Sequence, residues 1–176
     1  MNTRWKPSVT VAAVIARDVA GVTEFLLVEE HTQDGLRLNN PAGHLDPGES
    51  PLEGCARETL EETAFHFKPT ALVGVYLSRF EKSVLGQAQT EDITYLRFAF
   101  CGELGEFTAG QALDDGIVRT LWLSADAIRA CPERHRSPLL ITCMDDYLAG
   151  HRYPVNLITT DLGVYQIGNA SKVRVD

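Results

Sequence analysis

The chain has 176 residues, 44% of them apolar, and carries 16 Lys plus Arg against 24 Asp plus Glu, a net charge of −8. These figures fit one soluble globular domain over residues 1–176, with a core large enough to form without disulfide or metal staples, and they exclude a disordered chain. The negative balance excludes non-specific binding of nucleic-acid polymers, which needs a clustered positive field, and no apolar run approaches the ~18 residues needed to cross a bilayer.

From the N-terminus, Val9 to Ala16 is a β-rich apolar run, and Phe25 to Val28 is a second one after the turn residue Gly21; together they predict two joined strands. Asn39 to Pro51 is dense in turn formers and reads as a loop. Ser50 is placed to cap a helix, Pro51 suits its first position, and Glu53 completes a capping box. The helix runs to about Thr63. Thr70 to Phe80, Asp92 to Cys101 and Val118 to Leu123 read as further strands, with Glu81 to Glu91 as a polar loop. Ser124 caps a short helix over Ala125 to Ala130, a longer helix spans Leu139 to Leu148, and the tail from Tyr153 is ambiguous. The expected class is α+β, a mixed sheet sandwiched between helices. Cys55, Cys101, Cys131 and Cys143 lie far apart with no C-x-x-C pair, so they are expected as reduced core residues of a cytoplasmic protein without a signal segment.

The first helix carries the chemistry. At 100° per residue, Leu52, Cys55, Ala56, Thr59, Leu60 and Thr63 fall on one face, and Glu58, Glu61 and Glu62 fall on the opposite one. A solvated face usually alternates sign, whereas Glu58 and Glu62 are like charges at i,i+4, costing roughly 0.2–0.5 kcal/mol where the helix dipole also disfavours anions. A divalent cation would reverse these terms. Carboxylate oxygens suit Mg²⁺ or Mn²⁺ rather than Zn²⁺. Gly43 permits close backbone approach and can offer a carbonyl, Glu49 adds a fourth carboxylate, and Arg57 can hold Glu49 or Glu61 by a bidentate contact.

Gly43, five residues, Glu49, seven residues and then Arg57-Glu58-Thr59-Leu60-Glu61-Glu62-Thr63-Ala64-Phe65 resemble the Nudix box, G-x5-E-x7-R-E-U-x-E-E-x-G-U. Thr59 stands where a larger aliphatic residue is usual. Ala64 replaces the box glycine, at a cost of about 1 kcal/mol if the position needs φ > 0. Lys6 to Ala12, Val28-Glu29-Glu30, Asn40 to Leu45, Leu96-Arg97-Phe98, Arg136 to Leu139 and Arg152-Tyr153-Pro154 extend the resemblance to the NudJ-type phosphatase branch of the Nudix hydrolases. The resemblance implies a Nudix fold and Mg²⁺-dependent release of phosphate from nucleoside di- and triphosphates or thiamine-pathway pyrophosphates. Its implied ligands are Glu58, Glu62 and the Gly43 carbonyl. Glu61 is a further ligand or the base that takes a proton from water. In some relatives that base comes from a later loop, where Glu91, Asp92, Asp114 and Asp115 are available.

Substrate contacts must come from outside the box. Arg134 and Arg136 flank His135 in a basic cluster that either pairs with phosphates or belongs to a solvated loop. Arg97 points into a cleft with Tyr95 or is an edge charge. Tyr76 and Phe80 stack on a ring or belong to the core, His44 shapes the pocket or the loop, and Trp122 is expected as buried structure. The partner is a small-molecule phosphoanhydride, and the chain is expected as a monomer or homodimer away from membranes. A Nudix-fold module that binds a phosphorylated ligand or partner protein without turnover is the competing reading, and a plain structural domain the third.

Overall fold

The computed structural model describes residues 4–83 and 90–166. β1 (Ser8–Ala13) is buried on both sides from Val11 onward, so its alternating side chains serve two cores. Val11, Ala13 and the following Ile15 join one, and Ala12 and Val14 join the other. Its neighbours are β5 (Ala42–His44), antiparallel, and β7 (Thr90–Phe107), parallel. β7 pairs in turn with β6 (Phe65–Ser83), whose outer edge takes the two-residue β9 (Tyr153–Pro154). This mixed sheet has the order β5-β1-β7-β6-β9.

A second, antiparallel sheet is centred on β3 (Val22–Thr32), which pairs with β2 (Ala16–Val19), β4 (Gly35–Asn39) and β8 (Ile117–Ser124). The expected strand from Val9 to Ala16 therefore divides between two sheets, which backbone bonds from Val14 N–H to Phe100 O (2.7 Å) and from Leu26 N–H to Ile15 O (2.9 Å) hold together.

Helix α1 (Pro51–Thr63) packs Cys55 against the core of Val11, Phe67, Leu72 and Phe100. On the other face, α2 (Ala125–Arg129) and α3 (Leu139–Leu148) deliver Ile128, Leu140, Cys143 and Met144 to the second core. Helices thus cover both faces of the mixed sheet, giving the expected α+β sandwich. Ser124 caps α2 by accepting from Ala127 N–H at 3.2 Å.

The turn-rich stretch from Asn39 departs from expectation, because pairing with β1 draws three of its residues into β5. β6 and β7 also extend into the expected Glu81–Glu91 loop, as far as Ser83 and Thr90, while 84–89 lie outside the described residues. The ambiguous tail packs back onto the fold: Val155 and Ile158 join the core under α1, and the Tyr165 hydroxyl donates to Glu53 at 3.1 Å. Trp122 packs against that core too, with the Arg17 guanidinium 4.1 Å above its ring. The four cysteines are free thiols, three of them buried, and no described helix is long and apolar enough to cross a membrane.

Candidate active site

Helix α1 begins and ends on local chemistry. The Ser50 hydroxyl accepts from Glu53 N–H at 3.2 Å, and the Glu53 carboxylate accepts from Ser50 N–H at 2.8 Å, satisfying two of the orphan groups of the first turn. At the other end Ala64 sits in the left-handed region at φ 60°, its N–H donating to Leu60 O. The position does need a positive φ, and alanine bears the steric cost. Thr59 is fully buried and satisfies its hydroxyl by donating to Cys55 O at 2.8 Å.

The carboxylates are not displayed on a solvated face opposite the core. Glu58 and Glu62 are only 8% and 9% exposed. Both lie in the seam between α1 and β5. A Cβ on Gly43 would stand 2.1 Å from the Glu58 carboxylate, so the glycine leaves the space that this side chain fills. Glu62 accepts from Ala42 N–H at 2.8 Å. Burial pushes the Glu62 carboxyl up to about 8, with the nearby Glu58, Glu30 and Asp114 adding to the rise. Burial raises Glu58 as well, against the pull of Arg57.

Arg57 organises the cluster. Its Nε and Nη2 form a fork on Glu49 (2.9 and 2.8 Å), Nη1 donates to Glu58 and to Glu61 (both 2.8 Å), and Nη2 also donates to His44 O at 3.0 Å. All five N–H groups are used. The guanidinium holds Glu49 below the usual carboxylate range, and Glu49, first among its acidic partners, pushes the arginine above its own ordinary value.

Of the four later acids, the structure singles out Asp114. Its backbone N–H donates to Glu61 O at 3.1 Å. Glu58, Glu61 and Asp114 each bring one carboxylate oxygen within 4.8 Å of the others. Asp92 instead pairs with Arg79 at 2.8 Å, Asp115 is not in the cluster, and the Glu91 side chain lies outside the described residues. Glu62, expected as a first-choice ligand, faces Ala42 beside the cluster rather than inside it. Three converging hard oxygen donors with no thiolate or imidazole fit a divalent cation of the Mg²⁺ or Mn²⁺ type.

Beside the cluster opens a cavity of about 680 Å³, lined by Gly43, His44, Phe80, Tyr95, Arg97 and Arg136 among others. The face of β7 that gives Ala99 and Cys101 to the core gives Tyr95 and Arg97 to this cavity. The Tyr95 ring lies 6.0 Å from His44 and 5.8 Å, edge to face, from Phe80, so an aromatic wall runs along one side. Arg136 stands at the rim with Nε 3.7 Å from Glu30. One expected substrate contact, Arg134, lies elsewhere, and Tyr76 takes the alternative place expected for it, in the core. Arg134 pairs at 2.6 Å with the buried Glu29, which Arg119 also holds at 2.7 Å. Tyr76 packs on the core and donates to Asp146 at 2.8 Å.

The NUDIX domain family model matches residues 6–140. Phosphatase NudJ of Escherichia coli (strain K12) is 34% identical over 155 residues, covering 88% of this chain and 92% of its own. The solved structure of a NUDIX hydrolase from Nitrosomonas europaea has a TM-score of 0.75 and 44% identity, covering 89% of this chain and 98% of that one. The NUDIX domain of Shewanella oneidensis NrtR, solved with ADP ribose, has a TM-score of 0.61 at 16% identity over 82% and 90% of the two chains, a likeness of fold alone. With a family match over most of the chain and an arginine-tied acidic cluster beside a cavity, the chain belongs to the Nudix hydrolases, enzymes that act on small-molecule phosphate compounds.

Proposed function

We propose that this Nudix hydrolase cleaves the phosphoanhydride of nucleoside di- or triphosphates or of thiamine-pathway pyrophosphates, hydroxymethylpyrimidine pyrophosphate and thiamine pyrophosphate among them. It releases phosphate with Mg²⁺, or with Mn²⁺ in its place, acting as one domain in the cytoplasm. The observation that carries the reading is the convergence of Glu58, Glu61 and Asp114 behind Gly43, which itself lines an aromatic-walled cavity. Similarity to a protein named Phosphatase NudJ supports the same class of reaction.

Glu58 and Glu61, both tied to Arg57, are the fixed ligands, with Glu62 and the Gly43 backbone beside them. A divalent cation held there supplies positive charge opposite the phosphoryl oxygens and polarises water. Asp114 is the exposed member of the cluster and makes no side-chain hydrogen bond or ion pair among the described residues. It is therefore free to accept the proton of the attacking water, the role otherwise open to Glu61. Arg57 positions the carboxylates, Glu49 positions Arg57, and Arg136 and His44 meet the substrate at the rim.

The test is release of phosphate and pyrophosphate, with and without Mg²⁺, from nucleoside di- and triphosphates, the two thiamine-pathway pyrophosphates and ADP ribose. Wild type is run beside Glu61→Gln and Asp114→Asn. Metal-dependent turnover that falls about 10²-fold or more in both variants is expected. Turnover indifferent to metal, or to both substitutions, would overturn the assignment.

A further inference from the structure

Arg97 occupies an expensive position. It lies on the central strand β7, opposite Thr10 of β1 and Tyr76 of β6. Its Nε and Nη1 are shut off from solvent, and neither makes a hydrogen bond. Only Nη2 is left to face the cavity that the residue lines. Burial without a partner lowers the arginine from its ordinary value, against the pull of Glu30 and Glu62 nearby. Glu30 lines the same cavity: its Oε1 is buried without a hydrogen bond, with Arg136 Nε 3.7 Å away. Folds satisfy nearly all buried polar groups, so a cavity-lining arginine with no hydrogen bond, beside a carboxylate held only by a 3.7 Å ion pair to Arg136, points to an absent partner.

We infer that Arg97 and Glu30 together read the edge of an amino-substituted nitrogen heterocycle in the substrate. The guanidinium donates to a ring-nitrogen acceptor, and the Glu30 carboxylate accepts from the adjacent amino group. A phosphate fits this place poorly, because Glu30 and Glu62 both lie close enough to act on Arg97 and would repel a dianion. A neutral ring with an acceptor beside a donor complements both side chains at once, and its face has Tyr95 and Phe80 to stack on. The phosphates then extend past Gly43 toward the acidic cluster, leaving the ring as the part of the substrate that is recognised. A site that hydrogen-bonds a polar edge discriminates strongly against ligands that lack it, since its own buried groups are left unpaired.

This inference rests on the proposed use of the cavity as the substrate site, and its test needs no turnover. Binding of cytidine 5′-monophosphate, adenosine 5′-monophosphate and ribose 5-phosphate is measured by calorimetry in the presence of a chelator. At least one nucleotide is expected to bind wild type at least about tenfold tighter than ribose 5-phosphate. Arg97→Lys, which keeps the charge but loses the Nη2 donor, and Glu30→Gln should each reduce that preference to about twofold or less, by weakening nucleotide binding far more than ribose 5-phosphate binding. Equal weakening of nucleotide and sugar phosphate in Arg97→Lys would make Arg97 a phosphate clamp and overturn the inference. So would a wild type with no preference for the ring, or a preference that survives both substitutions. Glu30→Gln keeps the question open to refutation if the arginine variant fails to fold. Hydrolysis with the preference missing removes this inference alone, whereas ring-dependent binding without hydrolysis removes only the proposed reaction.

Discussion

Replacing Gly43 by alanine tests whether the geometry of the acidic cluster governs the chemistry. The added Cβ would lie 2.1 Å from both Cδ and Oε2 of Glu58. An ordinary contact of about 3.5 Å requires the carboxylate to retreat by about 1.4 Å. Glu58 is packed at 8% exposure and tied to Arg57 at 2.8 Å, so that retreat breaks the tie and pulls one oxygen out of the three-carboxylate cluster. A displacement of that size costs about 10²-fold in rate, and the overpacking costs about 1–3 kcal/mol of stability. The assay pairs kcat/KM for phosphate release with the thermal shift on adding Mg²⁺, which reports metal binding apart from turnover. A folded Gly43→Ala protein with kcat/KM and metal-induced shift within about threefold of wild type would refute the reasoning.

Ala64→Gly removes the strain of a left-handed alanine at φ 60°. It should raise stability by about 0.5–1 kcal/mol, or about 1–4 °C in Tm, with kcat unchanged in a standard turnover assay. Without metal, Glu62, raised to about 8 in the folded state, binds its proton more tightly there than in the unfolded chain. Stability from this group is complete below about pH 4.5 and is lost as pH climbs toward 8. Chelated wild type should therefore melt earlier at pH 8 than at pH 5, and Glu62→Gln should flatten that slope. An unchanged slope in the variant would assign the pH dependence to other groups. Arg136→Ala should raise KM with little effect on melting. Arg134→Ala should leave KM alone and cost about 1 kcal/mol, because it removes one of the two cations on buried Glu29 and is itself half-exposed.

The Nudix box was legible because its parts are local. Ser50, Glu53, Arg57, Glu58 and Glu61 lie within one loop and helix, where spacing alone says which side chains meet. The apolar runs likewise gave away most strands, and α3 has the bounds its pattern implied. What spacing could not show was set by distant partners. Asp114 reaches Glu61 through a backbone bond across the fold, and nothing around it distinguishes it from Asp115. Arg134 looked available beside Arg136 until β3 brought Glu29 to it. The burial of Glu58 and Glu62 depends on β5 closing over the helix, and β5 forms from turn-prone residues only because β1 offers it a ladder. Phe80 and Tyr76 are alternate residues of one strand face, and only their partners separate a cavity wall from a core contact.

The saturation of Arg57 has a consequence for how the enzyme meets its ligands. A guanidinium with every N–H engaged has no donor left to offer a substrate and no free rotation to lose. Glu49, Glu58 and Glu61 are held in register by one rigid planar hub before anything binds. The ordering entropy of these carboxylates is thus settled during folding, and a cation arriving at the site need not spend affinity on assembling it.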